Sequence, residues 1–324
     1  MDQPNAKART PGGSAADLNF RTLLPRGLDI DFVGKRKGFL IASTLLNLLA
    51  VVLFFVLPLN YGVDFSGGTA IRVRFVQQTD ANAVREELEA LELRDLTVQD
   101  FGVQGREFLL RFEIEPGEEM SSISETLQDL FVATRSEGGF EILSVESVGP
   151  KVGADLRRQG FLAVLAATVF MGIYITMRFE TSFGLGAVIA LIHDVLITMG
   201  ALMLSQYTFD LTTLAALLTV IGFSVHDTII VSDRVRENLQ KMKRASLEQV
   251  INRSINDTLS RTLLTTGTAL FVLFALLFLG GEGLEPFAFT LLIGFITGTY
   301  SSIYIAAPVV LFWSQRSKLA EEAR

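Results

Sequence analysis

Two stretches of the chain, each long and apolar enough to cross a lipid bilayer, carry a His–Asp pair where lipid tails would lie. Residues 183–204 hold His193 and Asp194, and residues 211–232 hold His226 and Asp227. At the helical rise per residue, Asp194 lies ~17 Å into its stretch and Asp227 ~24 Å into its own. A carboxylate at bilayer depth costs at least about 2.5–3.5 kcal/mol. Lipid tails offer no hydrogen-bond partner, so the fold has to enclose both acids among its own helices. Two readings fit them: a polar pair that holds helices together, or an ion or proton path. Amides or hydroxyls would hold helices together at lower cost, so the expectation is a path. An enclosed aspartic acid can load and release a proton, and a neighbouring histidine is suited to relay it. His226 and Asp227 are the nearer pair to the far end of their stretch, and His193 reads either as relay or as packing.

Four further stretches, 39–59, 160–177, 263–279 and 286–313, are of similar character. A hydrocarbon core needs ~20 apolar helical residues, so the chain reads as six spans. The 49% hydrophobic composition agrees, being high for a soluble protein of 324 residues. The first apolar run begins near residue 39 after a long polar lead, which does not read as a cleavable signal. Lys35, Arg36 and Lys37, then Arg178, then the basic residues from Arg234 to Arg261, then Arg316 and Lys318 all fall on one side of a six-span chain. The positive-inside rule makes that side cytoplasmic, with both termini. Arg157 and Arg158 run against the rule without reversing it. Residues 1–38 then form a cytoplasmic segment, 234–262 a cytoplasmic loop and 314–324 a cytoplasmic tail.

Residues 60–155 become extracytoplasmic. They hold 8 Lys and Arg against 19 Asp and Glu, a balance compatible with translocation. Their hydrophobic alternation predicts strands over 70–76, 96–103, 107–114 and 140–148, and helices over 80–91 and 118–134. That order, βαββαβ, is the ferredoxin-like unit. The fold class expected is therefore an α-helical integral membrane protein with six transmembrane helices, residues 39–59 and the five-helix bundle 156–313, plus an external α+β domain.

Both joints between domain and bundle are rich in glycine. One carries Asp64, Gly67 and Gly68, the other Gly149, Pro150 and Gly153. They read as tight connectors or as hinges that couple the domain to the membrane. Arg234 lies two helical turns beyond Asp227 on one face and is read as part of the path or, with Asp233, as a boundary ion pair. Gly222, Gly294 and Gly298 have the character of helix-packing positions. Thr265, Thr266, Thr268, Ser301 and Ser302 offer further polar contacts. Val250, Ile251, Ile255 and Leu259 share one helical face, fit for the membrane, a partner or the bundle's own end. The chain has no cysteine, and no phosphate-binding loop, nucleophile elbow or zinc spacing occurs. No catalytic site, metal or cofactor is expected, and the basic segment reads as orientation, not nucleic-acid binding.

Six segments in order carry a resemblance: 61–69 (YGVDFSGGT), 147–153 (SVGPKVG), Arg178-Phe179-Glu180, 186–195 (GAVIALIHDV), 215–238 (AALLTVIGFSVHDTIIVSDRVREN) and 261–268 (RTLLTTGT). Together they resemble the SecD/SecF family of bacterial protein-export subunits, on its SecF side. The resemblance implies a place in the bacterial cytoplasmic (inner) membrane. It implies a twelve-span unit with SecD, of the resistance-nodulation-division type, joined to the SecYEG channel and accessory translocon membrane proteins. That unit uses the proton motive force to draw exported unfolded polypeptides outward after the SecA ATPase has pushed them. The charged residues carry over to Asp194, Asp227 and Arg234. His226 departs from the family, which often has asparagine there. Two rival readings differ in testable ways. Half of a small-molecule efflux transporter would have far larger external domains. A passive stabiliser of the translocon needs no intramembrane acid.

Overall fold

A computed structural model of the chain describes residues 29–322, apart from 90, 92, 102–104, 114–119, 136–138 and 282. Most of the expected N-terminal segment, residues 1–28, lies outside the described residues, as do the end of the strand expected over 96–103 and the start of the helix expected over 118–134. The elements run α1 (Arg36–Val56), α2 (Val63–Ser66), β1 (Gly68–Phe75), α3 (Ala81–Glu89), β2 (Arg94–Asp100), β3 (Glu107–Glu113), α4 (Met120–Arg135) and β4 (Phe140–Val148). Then follow α5 (Pro150–Arg178), α6 (Thr181–Ser205), α7 (Leu211–Lys241), α8 (Leu247–Leu279), α9 (Glu285–Ser301), a π-helical turn (Ser302–Ala306) and α10 (Ala307–Glu322).

Among the described residues, six helical segments are long and apolar enough to cross a membrane: α1, α5, α6, α7, α8 and the run Glu285–Ser314. They divide by burial. α6, α7 and α9 bury residues around most of their circumference. α1 buries only Ser43 and Ala50. The outer helices present Phe55, Met177 and Leu279 at 81–84% exposure. Apolar side chains turned outward on these helices are what lipid contact requires.

Glycine lets the central helices approach. A side chain at Gly294 would meet Val220, and one at Gly298 would meet Ser224 Cβ at 3.1 Å, so one glycine face of α9 lies on α7. Gly222 differs from the packing expected of it. A Cβ there would meet nothing within 4 Å, and the residue is exposed. Nothing within this chain requires a glycine at that position.

The small domain is a four-stranded antiparallel sheet of order β2-β3-β1-β4, with β1 paired to both β3 and β4. Alternation explains it. Ile71, Val73 and Phe75 point to one face and are at most 1% exposed, packed with Phe108, Leu110 and, from α3 and α4, Leu88 and Phe131. The other face carries Ala70 and Leu109, which pack on Val63. The order of elements is the one that the hydrophobic pattern predicts, with ends displaced by a few residues.

Three boundaries are corrected. α5 begins at Pro150, so the bundle starts before residue 156, and this proline occupies the first helical turn, where its missing N–H costs nothing. The first span begins at Arg36, before residue 39. The expected loop over 234–262 is mostly helix. α7 continues to Lys241, and α8 starts at a capping box in which Gln249 N donates to Ser246 Oγ and Ser246 N to Gln249 Oε1. The amphipathic face of Val250, Ile251, Ile255 and Leu259 packs on the bundle's own end, against Phe32, Val33 and Val235.

The domain joints are close-packed rather than loose. Gly67 has φ +79° and ψ −179°, a region open essentially to glycine alone, and a Cβ there would lie 2.7 Å from Pro150 Cα. A Cβ at Gly153 would lie 2.8 Å from Gly67 N. Gly67→Ala is therefore expected to lower stability by roughly 1–3 kcal/mol. Gly222→Ala should be neutral or raise stability by up to ~1 kcal/mol through helix propensity. Thermal unfolding of the purified chain in detergent checks both, and equal melting of the two variants would contradict the packing of this joint.

Candidate functional site

The two acids are both enclosed, at 1% exposure for Asp194 and 0% for Asp227, but their surroundings are unlike. α6 brings Asp194 to the centre of the bundle. Its Oδ2 accepts from Ser224 Oγ of α7 at 2.6 Å and from Ser301 Oγ of α9 at 2.7 Å. Its Oδ1 lies 2.9 Å from His193 Nδ1. Two hydroxyl donors and an imidazole nitrogen thus surround the carboxyl group where water is absent. A typical bond of this kind contributes about 0.5–1.5 kcal/mol, and leaving a buried partner unpaired costs about 1–3 kcal/mol. Asp194 therefore ties three helices together at one point.

Gly298 makes the arrangement possible, since α9 must come close to Ser224 for both serines to reach one oxygen. The π-helical turn starts directly after Ser301. Such turns shift the register of the side chains that follow them and recur at functional sites. His193 is buried as well. Its ring stacks with Tyr300 at a centroid distance of 5.9 Å, and its Nε2 has no hydrogen-bond partner. Tyr300 in turn shares a 2.6 Å hydrogen bond with Ser43 of α1.

Asp227 has far less support. Its Oδ2 accepts from Thr299 Oγ1 at 3.4 Å, and among the described residues its Oδ1 has no hydrogen-bond partner. Thr299 Oγ1 lies 2.8 Å from Thr266 Oγ1 of α8, which extends the polar line outward. His226 Nδ1 is 3.9 Å from Asp227 Oδ1, too far for a hydrogen bond. The His226 side chain is 56% exposed, on the outside of the bundle. A buried carboxyl oxygen left unpaired costs about 1–3 kcal/mol, and a proton or an outside donor relieves that cost.

Arg234 is not brought to Asp227. Its guanidinium reaches Asp257 Oδ2 of α8 at 2.7 Å and Glu237 Oε2 at 2.6 Å. Arg253 Nε also meets Asp257, at 3.0 Å, and Asn238 Nδ2 donates to the same carboxylate at 3.1 Å. The group clamps α7 to α8 at the end away from the small domain. Asp233 is exposed and, among the described residues, forms no ion pair with Arg234, so the expected boundary pair is replaced by Arg234–Asp257. Helical spacing put Arg234 on the right face but could not supply Asp257, twenty-three residues away.

One charged residue was undervalued by the sequence. Arg261 of α8 lines an open groove with Asp233, Arg234 and Tyr174. Sequence reasoning gave it only an orientation role, although it stands directly before an apolar stretch. Of the hydroxyl donors, Ser301 stood among the expected polar contacts, whereas Ser224 and Thr299 escaped individual notice, because single hydroxyls in a helix ordinarily bond their own backbone.

Comparison with known proteins adds the following. Residues 129–316 match the family described as protein export membrane protein SecD/SecF, C-terminal, and residues 52–79 match the SecD/SecF GG motif. The chain is 46% identical over 296 residues to the protein translocase subunit SecF of Magnetococcus marinus, covering 90% of this chain and 95% of that one. It is 40% identical over 293 residues to that of Calditerrivibrio nitroreducens, covering 90% and 96%. Among solved structures it is similar to SecDF, a translocon-associated membrane protein from Thermus thermophilus, with TM-score 0.80 and 36% identity over 89% of this chain. It spans only 39% of that SecDF chain. SecDF in a super-membrane-facing form gives TM-score 0.68 and 36% identity, over 93% of this chain and 41% of the other.

The unequal hydrogen bonding of the two acids has a direct consequence. Ser224→Ala and Ser301→Ala should each cost about 1–3 kcal/mol of stability. Their effects should couple, since both donate to one oxygen, and both should become small in an Asp194→Leu background. Thr299→Val should cost less than either. A double-mutant cycle on unfolding in detergent measures this, and strict additivity would contradict the shared acceptor.

Proposed function

The chain belongs to the SecD/SecF family as a SecF protein translocase subunit, and from that premise we propose that it works with a SecD partner to drive protein export by the proton gradient. It is a multi-pass membrane protein by its six apolar helices and its membrane translocase relatives. In this reading both termini are cytoplasmic and the small sheet domain is external. The domain and the Arg234–Asp257 group stand at opposite ends of the bundle, which supports that orientation. The exceptional Arg157 has a local reason on the domain side, where its guanidinium lies 5.6 Å from the Tyr61 ring centre. The βαββαβ order and the β2-β3-β1-β4 sheet support a ferredoxin-like assignment for the domain.

The observation that carries the reading is the contrast between the two enclosed acids. Asp227, with one long hydrogen bond and one unpaired oxygen, is the group we assign to proton exchange. Asp194, with His193 beside it, is the fixed member that sets the position of α7 and α9 around it. The exposed His226 tunes access from outside the bundle. Arg234 acts further out, through the α7–α8 clamp.

The exposed face of α7 supports a partner. Ala215, Thr219, Gly222, His226 and Asp233 form a small and polar stripe on a helix of membrane-spanning length. Small residues permit close helix approach, and polar ones at that depth call for protein rather than lipid. Because the SecDF chain is much longer than this one, SecD is the natural occupant of that stripe. SecYEG, accessory translocon proteins and the exported polypeptide would follow as further contacts of the assembly.

Asp227→Asn keeps the shape and cannot carry a proton. It is expected to insert and assemble normally and to lower proton-driven export by roughly tenfold or more. His226→Asn should retain activity and move its pH optimum. Export into inverted vesicles of controlled pH gradient measures both. A wild-type rate for Asp227→Asn at full gradient would remove the proposed proton role.

A further inference from the structure

The outer end of α7 is gripped both by the segment that leads into the external domain and by the sheet of that domain. Asp210 caps α7 in the ordinary way, its Oδ1 accepting from Thr213 N at 2.8 Å. A second carboxylate joins it from outside the helix. Asp64 Oδ2 accepts from Leu211 N at 3.0 Å, so one of the helix's free N–H groups is satisfied by the segment that leads into the sheet. The turn before α7 is held as well. Phe209 N donates to Asn60 O at 2.7 Å, Gly62 N donates to Phe209 O at 2.9 Å, and the Phe65 and Phe209 rings stack at 5.4 Å.

The sheet itself contributes Arg111, from the middle of β3. Its guanidinium donates to Thr208 Oγ1 at 3.0 Å, to Asn60 Oδ1 at 3.1 Å and to Tyr61 O at 3.4 Å. Its Nε is buried without a partner among the described residues. Burial holds the Arg111 pKa below its ordinary value, against the opposing charges of Asp210 and Glu146. Among the described residues neither acid forms an ion pair with Arg111. Both acids line, with Asp64, Arg72 and Arg111, a cavity of about 70 Å³ between the domain and the bundle, so the guanidinium has alternative acceptors within reach and space to turn.

On the other side the domain is anchored differently. Gly67 and Gly153 pack backbone to backbone against the start of α5, a helix that buries little else in the bundle. The domain thus rests on two supports, α5 through the glycine joint and α7 through Asp64 and Arg111. A displacement of α7 relative to α5 tilts it.

We propose that Asp64 and Arg111 are the positioning residues that deliver movement of α7 to the external domain. The inference rests on the reading of Asp227 as the exchanging acid. Asp227 lies on the same unbroken helix as Leu211, so a shift at the acid reaches the gripped end without an intervening joint. Asp64 holds the helix end and Arg111 holds the turn. Neither touches a transported proton.

Because the chain has no cysteine, two can be introduced cleanly, at Glu86→Cys on α3 and Leu204→Cys on α6, both exposed positions. Spin labels there report the distance from domain to bundle in the full chain held in native-membrane nanodiscs. The distance distribution is compared between Asp227 and Asp227→Asn in four backgrounds: unchanged, Asp64→Asn, Asp64→Ala and Thr208→Val. Asp64→Asn keeps an oxygen acceptor for Leu211 N, while Asp64→Ala removes it, and Thr208→Val removes an acceptor of Arg111 without touching either joint. The expected result is a shifted distribution on Asp227→Asn in the unchanged and Asp64→Asn chains, lost in Asp64→Ala and reduced in Thr208→Val. An equal shift in all four backgrounds overturns this inference alone. No shift in the unchanged chain overturns it together with the assignment of Asp227.

Discussion

An aspartate without access to water must find its hydrogen-bond donors inside the protein, and the centre of this bundle is arranged around that requirement at Asp194. Its three hydrogen-bond partners come from α6, α7 and α9, and the two serines donate to the same oxygen. Close approach of α7 and α9 follows from it, and with it the glycine at 298. The π-helical turn follows immediately after the donor on α9. Replacing the acid by an apolar residue would leave Ser224 and Ser301 to bond their own backbones, as Ser301 already does in part with Gly298 O. The helices could then slide. In lipid there is no hydrophobic force to hold them in register, so polar contacts and close packing fix it.

The same rule makes Asp227 conspicuous. It is as well enclosed as Asp194 and is left with an unpaired oxygen. A buried polar group that is only partly satisfied carries a free-energy cost that a packed protein ordinarily avoids. Where the cost persists it marks a place at which state can change, by gaining a proton or by receiving a donor from a neighbouring chain. Thr299 and Thr266 continue the polar line into α8, so a change at Asp227 is felt by two further helices. At the far end α7 is tied to the small sheet domain, and at the near end to α8 by Asp257.

Much of this was legible in the sequence. The six apolar stretches could be placed because length and hydropathy are local properties, and the sheet domain because alternation at Ile71, Val73 and Phe75 is a period of two. The two acids stood out because their residue type contradicts their surroundings. What escaped was set by partners distant in sequence. The first half of α8 was legible as a helical face at Val250, Ile251, Ile255 and Leu259, but not its continuity with the apolar span, nor that this face meets Phe32 and Val235. Arg234 was placed on the correct face with the wrong partner. The glycine joints read equally as tight connectors or as hinges, and only the close approach of Gly67 and Gly153 separates the two readings. The difference between Asp194 and Asp227 was invisible, since it depends on which hydroxyls two other helices present.

Isotope-edited infrared spectroscopy of aspartic carboxyl groups, on the full chain in lipid, tests the division of roles most directly. The band of a protonated, enclosed aspartic acid is followed as pH is varied. One such band should appear and disappear with pH, be absent from Asp227→Asn and persist in Asp194→Asn. A titrating band that vanishes with Asp194→Asn and survives Asp227→Asn, or no titrating band at all, would contradict the account.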